Sequence, residues 1–238
     1  MATTLSRAAT RHARRRPSRV GPRLDPADLA AFGPKLRAWY RRHARDLPWR
    51  RTRDPYAILV SELMLQQTQV SRVLDFYHRF LERFPTVEAL AGARESQVVT
   101  QWEGLGYYAR ARNLHKLSRA VVREGFPTDP VGLRQLPGIG AYTAGAVATF
   151  AFERRAALVD TNVARVLTRV FAPRLHPKRA RDQKAIWAIA EATLPRTGKA
   201  TWTHNQALME LGALVCTARV KRCAACPVRG ICKSRDQG

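Results

Sequence analysis

Acidic side chains are scarce in this chain: 18 aspartates and glutamates stand against 42 lysines and arginines in 238 residues, a formal net charge of +24. The imbalance makes a polyanion the natural partner and predicts a steep salt dependence for DNA binding. Composition does not by itself separate an enzyme acting on nucleic acid from a ribosomal or chromatin-like binder. Long apolar runs are also absent. No stretch approaches the roughly 20 consecutive apolar residues of a membrane helix, and the N-terminus lacks the apolar core of a secretory signal. A soluble intracellular protein, cytoplasmic or nucleoid-associated, is therefore expected, with no membrane partner. Cysteine does not occur before residue 216 and then occurs four times. Such clustering suits a metal site in a reducing compartment better than a disulfide framework. What is plentiful is apolar content, 45% of the chain, enough for one compact unit or two small lobes sharing a cleft.

Residues 1–23 carry seven arginines and no acid, and read as a disordered basic tail; an organelle transit peptide has the same character. From Asp25 onward the pattern is helical. Leu29, Phe32, Leu36, Trp39 and Tyr40 recur at helical spacing, as do Val73, Phe76, Tyr77, Phe80 and Leu81, while strand alternation is missing. Asp54-Pro55 predicts a helix start running through Ser61 to Leu65, with the acid at the cap and proline at the first helical position. Pro127, Pro137 and Pro173 punctuate later helices, and the fold class is all-α. The sequence ends six residues beyond Cys232, where no further domain is expected.

Cys216, Cys223, Cys226 and Cys232 form C-x6-C-x2-C-x5-C, four soft donors that select zinc or an iron-sulfur cluster. Structural zinc sites pair two close knuckles, and only Cys223 and Cys226 are that close, so the uneven spacing suits a wider cluster better. All four positions serve as ligands, which leaves no open site for Lewis-acid chemistry. Arg219, Lys221, Arg222 and Arg229 nearby suggest that the metal braces a basic loop against phosphate. Upstream, Leu136-Pro137-Gly138-Ile139-Gly140 precedes an apolar, small-residue helix from Tyr142. Two glycines before a helix start allow a tight turn with outward backbone N–H groups, on which a phosphate can dock without sequence readout; a lone G-x-G turn is more often mere packing.

Two carboxylates stand out. Glu62 lies within Ile58-Leu59-Val60-Ser61-Glu62-Leu63-Met64-Leu65, where desolvation raises a carboxyl pKa toward that of a general acid; the plainer reading is one acid on a solvated helix face. Asp160 precedes Thr161-Asn162-Val163 and reads as an N-cap, although a cap aspartate can also point into a cleft.

Pro48-Trp49-Arg50, Asp54-Pro55-Tyr56, S-E-L-M-L-Q-Q-T-Q-V at 61–70, G-L-G-Y-Y-A-R-A-R-N-L-H at 104–115, the hairpin and the cysteine loop occur in one order over about residues 35–234. In these six blocks the chain resembles the helix-hairpin-helix superfamily of DNA glycosylases, and within it the MutY family. The resemblance implies a two-lobed helical fold. A six-helix barrel lobe with the hairpin would span 49–153, and a 4Fe-4S cluster lobe would span 24–48 plus 154–238. It also implies a monomer acting on double-stranded DNA that contains a mismatch or damaged base. Carried over residue by residue, Glu62 matches the acid that protonates the departing adenine, and Asp160 matches the carboxylate that stabilises the sugar cation. Tyr142 and Asn162 match residues supporting that pair, Trp49, Arg50 and Leu65 match walls of the base pocket, and Gln206 matches the position that reads the adenine edge. Gln66, Gln67, Tyr107, Gly138 and Gly140 match DNA-binding positions, Gln67 being the wedge that enters the stack when the target leaves it. Cys216, Cys223, Cys226 and Cys232 match the cluster ligands.

Tyr142 stands where bifunctional relatives carry a Schiff-base lysine, so little or no strand cleavage is expected. MutY proteins typically carry a C-terminal domain that recognises 8-oxoguanine, and none is expected here, which puts that preference in doubt. The rival readings are a thymine or uracil glycosylase acting on G·T or G·U, against which the amide of Gln206 favours adenine, and a catalytically silent DNA-binding module.

Overall fold

The computed structural model describes residues 22–235; the basic stretch at 1–23 lies, apart from its last two residues, outside the described residues. Among these the chain is helical throughout. The helices are α1 (Pro26–His43), α2 (Pro55–Leu65), α3 (Val70–Arg83), α4 (Val87–Gly92), α5 (Glu95–Trp102), α6 (Ala109–Glu124), α7 (Pro130–Leu133), α8 (Ala141–Phe150), α9 (Thr161–Phe171), α10 (Ala180–Thr193) and α11 (Gly198–Leu214). Short 3-10 turns sit at Pro48–Arg50, Cys223–Ala225 and Arg229–Ile231.

Several of the few acids are spent on helix starts. Asp25 accepts from Ala27 N at 2.8 Å, Asp54 from Tyr56 N at 2.9 Å and Asp129 from Val131 N at 2.9 Å, each followed by proline at the first helical position. Each cap is worth about 1 kcal/mol, because it satisfies an amide that the helix leaves unpaired.

The helices pack as two lobes. In one, α2 is the centre and carries α3, α6 and α8, with α4 and α5 laid on α6 and α7 on α8. Every residue of α2 from Tyr56 to Met64 is buried, which is why it reads as apolar all round and not as a stripe. In the other lobe α1 and α9 pack on α11, and α10 on α9 and α1. The seam between α8 and α11 joins the two.

The crossover from α8 to α9 is tight. Glu153 takes a left-handed conformation (φ 49) and its carbonyl lies where a Cβ on Gly198 would stand, 1.4 Å away. Backbone cannot yield as a flexible side chain can. Gly198→Ala is therefore expected to destabilise the fold by about 3 kcal/mol, the upper part of the range for overpacking. Urea unfolding checks this, and an unchanged midpoint would mean that the start of α11 has room to move.

Candidate active site

The cleft between the lobes opens into a cavity of about 570 Å3, within the range of pockets that bury a small organic ligand. Trp49, Arg50, Glu62, Leu65, Gln66, Gln67, Tyr142, Asp160, Asn162 and Gln206 all line it. These residues come from α2 and the loop after it, α8, α9 and its N-cap, α11 and the first 3-10 turn, so they meet only in the folded chain. Tyr107, Gly138 and Gly140 lie outside the cavity.

Glu62 is 4% exposed, so the solvated-face reading fails. Its Oε2 is buried and has no hydrogen-bond partner. Burial pushes the carboxyl up to about 7, against a hydrogen bond with Tyr142; Asp160 adds to the rise and the Arg50 charge opposes it. The Tyr142 phenol is itself held well above its ordinary value by burial and by the two carboxylates. Near neutral pH the site therefore holds a carboxyl poised to give up a proton.

Asp160 is the N-cap of α9. Its Oδ1 accepts from Val163 N at 2.6 Å and its Oδ2 from Asn162 Nδ2 at 3.0 Å. Two donors at the start of a helix thus fix the orientation of this carboxyl group, which lines the cavity. Asn162 is held in turn: Arg165 Nη2 donates to its Oδ1 at 2.7 Å, and Gly212 lets α11 close on it, since a Cβ there would lie 2.8 Å from Asn162 Cβ.

Other residues shape the site without having drawn notice in the sequence. Glu210, fully buried, accepts from Arg45 Nε at 2.8 Å and from Arg50 Nη2 at 2.7 Å. Burial pushes its carboxyl up, but those hydrogen bonds outweigh burial and hold it at about 2. Arg110, buried at the base of α6, donates to the carbonyls of Leu63, Met64 and Gln66 at 2.6–2.9 Å and to those of Leu105 and Gly106 at 3.2 and 2.9 Å. One guanidinium thus ties the loop of Gln66 and Gln67 to the loop of Tyr107. Gln67 (φ 56) and Tyr107 (φ 50) are two of the three non-glycine residues in the left-handed region among the described residues. Such strain persists only where the surroundings fix it, and it gathers at functional loops. Tyr107 is 61% exposed and available to a partner.

The hairpin follows its sequence pattern. Gly138 has φ 76, Gly140 caps α8, both are exposed, and Leu136 and Ile139 anchor the turn in the core. In the cysteine loop all four thiols are unbridged and line one cavity with Arg169, Lys221, Arg222 and Arg229. Among the described residues no set of three or more His, Cys, Asp or Glu is drawn tightly enough for a single ion. Arg169 Nη1 donates to Cys216 Sγ at 3.3 Å. Burial pushes Cys226 up to about 11, and the other three thiols raise it as well. Four thiols lining one cavity are soft donors of the kind that could, as thiolates, hold a soft metal centre.

A two-lobed helical body with a glycine hairpin, and a cleft lined by two carboxyl groups, one buried without a partner on Oε2 and one held at a helix cap, defines a helix-hairpin-helix glycosylase fold. The chain belongs to the HhH-GPD superfamily of base excision DNA repair proteins, whose family model matches residues 60–191. It is 46% identical over 211 residues to the adenine DNA glycosylase of Mycolicibacterium smegmatis, covering 86% of this chain and 69% of that protein. To the human adenine DNA glycosylase it is 42% identical over 225 residues, covering 90% of this chain and 41% of the human protein, so it spans about two fifths of that relative. Among solved structures it is similar to a thermostable thymine-DNA glycosylase, with a TM-score of 0.80 and 30% identity over 89% of this chain and 98% of the other.

Proposed function

We propose that the chain excises adenine mispaired with guanine or 8-oxoguanine in duplex DNA, by hydrolysis of the N-glycosidic bond and without strand cleavage. The observation that carries this reading is the cavity itself. Glu62, with a partnerless carboxyl oxygen, and Asp160, with both oxygens held, line it together with the buried amide of Gln206. A base must leave the duplex before its glycosidic bond can be reached, and breaking that bond leaves positive charge on the sugar, as in glycoside hydrolysis with paired carboxylates. Glu62 gives its proton to the departing purine, Asp160 faces the cationic sugar, and water completes the reaction. The Gln206 amide can both accept from and donate to the amine edge of adenine. No lysine is among the described residues lining the cavity, and Tyr142 directs a phenol at Glu62, which favours hydrolysis over Schiff-base chemistry.

Cys216, Cys223, Cys226 and Cys232 would hold a 4Fe-4S cluster in the lobe formed by 24–48 and 154–238, with 49–153 as the barrel lobe. When bound, the cluster supplies cross-linking of the loop and no chemistry on the base. The strained, exposed Tyr107 and the loop of Gln66 and Gln67 face the DNA, and the glycine hairpin docks a phosphate.

Single-turnover assays on duplexes with A opposite G, A opposite 8-oxoguanine, T opposite G and U opposite G, with and without alkali, test the reading. Adenine release with strand breaks only after alkali is expected, and borohydride should trap no covalent complex. Thymine or uracil release without adenine release would instead place the chain with the thymine-DNA glycosylase to which it is similar. Iron and sulfide analysis of anaerobically purified protein tests the cluster, and protein containing zinc alone would refute it.

A further inference from the structure

Two side chains that could pair line the same cavity, and each has one buried atom without a hydrogen-bond partner: Oε2 of Glu62 and Nε of Arg50. In a site of low dielectric a cation and a carboxyl so placed are expected to close into a salt bridge unless the cation is already held elsewhere. A closed pair would hold Glu62 as a carboxylate and leave the site without its acid.

What prevents this is visible on the far side of Arg50. Its Nη2 donates to Glu210 Oε2 at 2.7 Å and its Nη1 to the Arg45 carbonyl at 2.9 Å, while its guanidinium lies over the Tyr40 ring at 5.7 Å. Glu210 is immobilised from the other side. Arg45 reaches it through Nε at 2.8 Å, Nη2 at 2.9 Å and its backbone N at 3.0 Å. The acid that anchors Arg50 is therefore on α11, while the acid that must stay protonated is on α2.

We propose that Glu210 is a decoy counter-ion: by holding the Arg50 guanidinium it keeps that cation from pairing with Glu62, and so preserves the proton on Glu62. Glu210 lines the cavity beside Arg50, and the role assigned to it is that of a positioning residue, exerted through Arg50. The inference rests on the reading of Glu62 as general acid. The charged or titratable groups facing Glu62 are Tyr142 from α8, Asp160 at the start of α9 and Arg50 from the first 3-10 turn. Of these only Arg50 carries positive charge, and its charge already favours the ionised form of Glu62. Removal of Glu210 leaves Arg45 and Arg50 as two uncompensated cations at that wall and frees Arg50 to turn toward Glu62.

The test is the pH profile of single-turnover adenine excision from an A opposite G duplex. In the wild type the rate is expected to fall as pH rises through about 7, the value to which burial pushes the Glu62 carboxyl. Glu210→Gln should move that descending limb about one pH unit or more to lower pH, as a new opposite charge does to a carboxyl, with activity returning on acidification. Arg50→Gln keeps the Arg45–Glu210 pair and should move the limb upward; the double variant should follow Arg50→Gln. Lost packing alone would lower the whole profile without displacing the limb. A limb that stays in place in Glu210→Gln overturns the proposal. If that variant does not fold, as thermal melting reveals, an unmoved limb in Arg50→Gln overturns it instead. Glu62→Gln separates the two layers: retained excision there removes the acid itself, whereas lost excision with an unmoved limb removes only the role of Glu210.

Discussion

Glu62→Gln is expected to reduce single-turnover excision by about 10^3-fold, within the range for loss of a general acid, while leaving duplex affinity nearly unchanged. Glutamine keeps the shape and an acceptor for the Tyr142 phenol but has no acidic proton to give. The same substitution should stabilise the protein in a pH-dependent way. Between the ordinary carboxylate value of 4.5 and about 7, the folded state holds a proton that the unfolded chain has released. Stability therefore falls as pH rises through that window, and above it the penalty is complete, at up to about 3 kcal/mol for a shift of this size. Urea unfolding at pH 5 and pH 8 reads the difference: the variant should gain on the wild type at the higher pH and little at the lower. Equal pH dependence in the two proteins would show that Glu62 is not buried with its proton, and retained excision would remove it from the chemistry. A residue whose loss ends activity but raises stability bears the cost of function, which is where a sequence is expected to break its own local rules.

That breach is what made Glu62 legible. An acid inside an otherwise apolar helix conflicts with its surroundings, and the conflict is visible in one turn of sequence. Asp160 was legible for the opposite reason, because it agrees with the helix it caps. The Asp-Pro helix starts and the glycine hairpin are local in the same sense, and the all-α fold follows from them and from the apolar periodicity. Glu210 carries the same signal as Glu62, an acid in the run Ala207-Leu208-Met209-Glu210-Leu211-Gly212, and could have been found by it. Its partners could not, since Arg45 and Arg50 lie 165 and 160 residues away. The buried arginines were hidden by abundance: in a chain of this charge each looks like another phosphate contact. Arg110 and Arg165 stand out only by what the fold places around them, chiefly carbonyl oxygens, which leave no pattern in sequence.

Arg165 carries the second large prediction, because it joins the cysteine loop to Asp160 in the cavity. Its Nη2 donates to Asn162 Oδ1 at 2.7 Å and to the Gly212 carbonyl at 2.8 Å, and its Nε donates to the Cys216 carbonyl at 2.8 Å. Asn162 passes the constraint on to Asp160 Oδ2 at 3.0 Å. The route from Cys216 to Asp160 is thus two side chains long, and each link is a directional hydrogen bond. Arg165→Leu leaves the carbonyls of Gly212 and Cys216 without this donor, at about 1–3 kcal/mol for each one left buried and unpaired, and frees Asn162 to rotate away from Asp160. A displacement of about 1 Å at a catalytic group costs on the order of 10^2-fold in rate, and a loss of that size in single-turnover excision is expected with duplex affinity changed far less. Arg165→Lys should not restore the rate, because one ammonium cannot span acceptors that the planar fork reaches from separate nitrogens. Asn162→Ala should cause a similar loss by itself, and combining it with Arg165→Leu should add little, since both changes cut the same chain. Additive losses in that cycle, or a leucine variant of wild-type rate, would mean that the helix cap alone fixes Asp160 and that the cysteine loop has no hold on the active site.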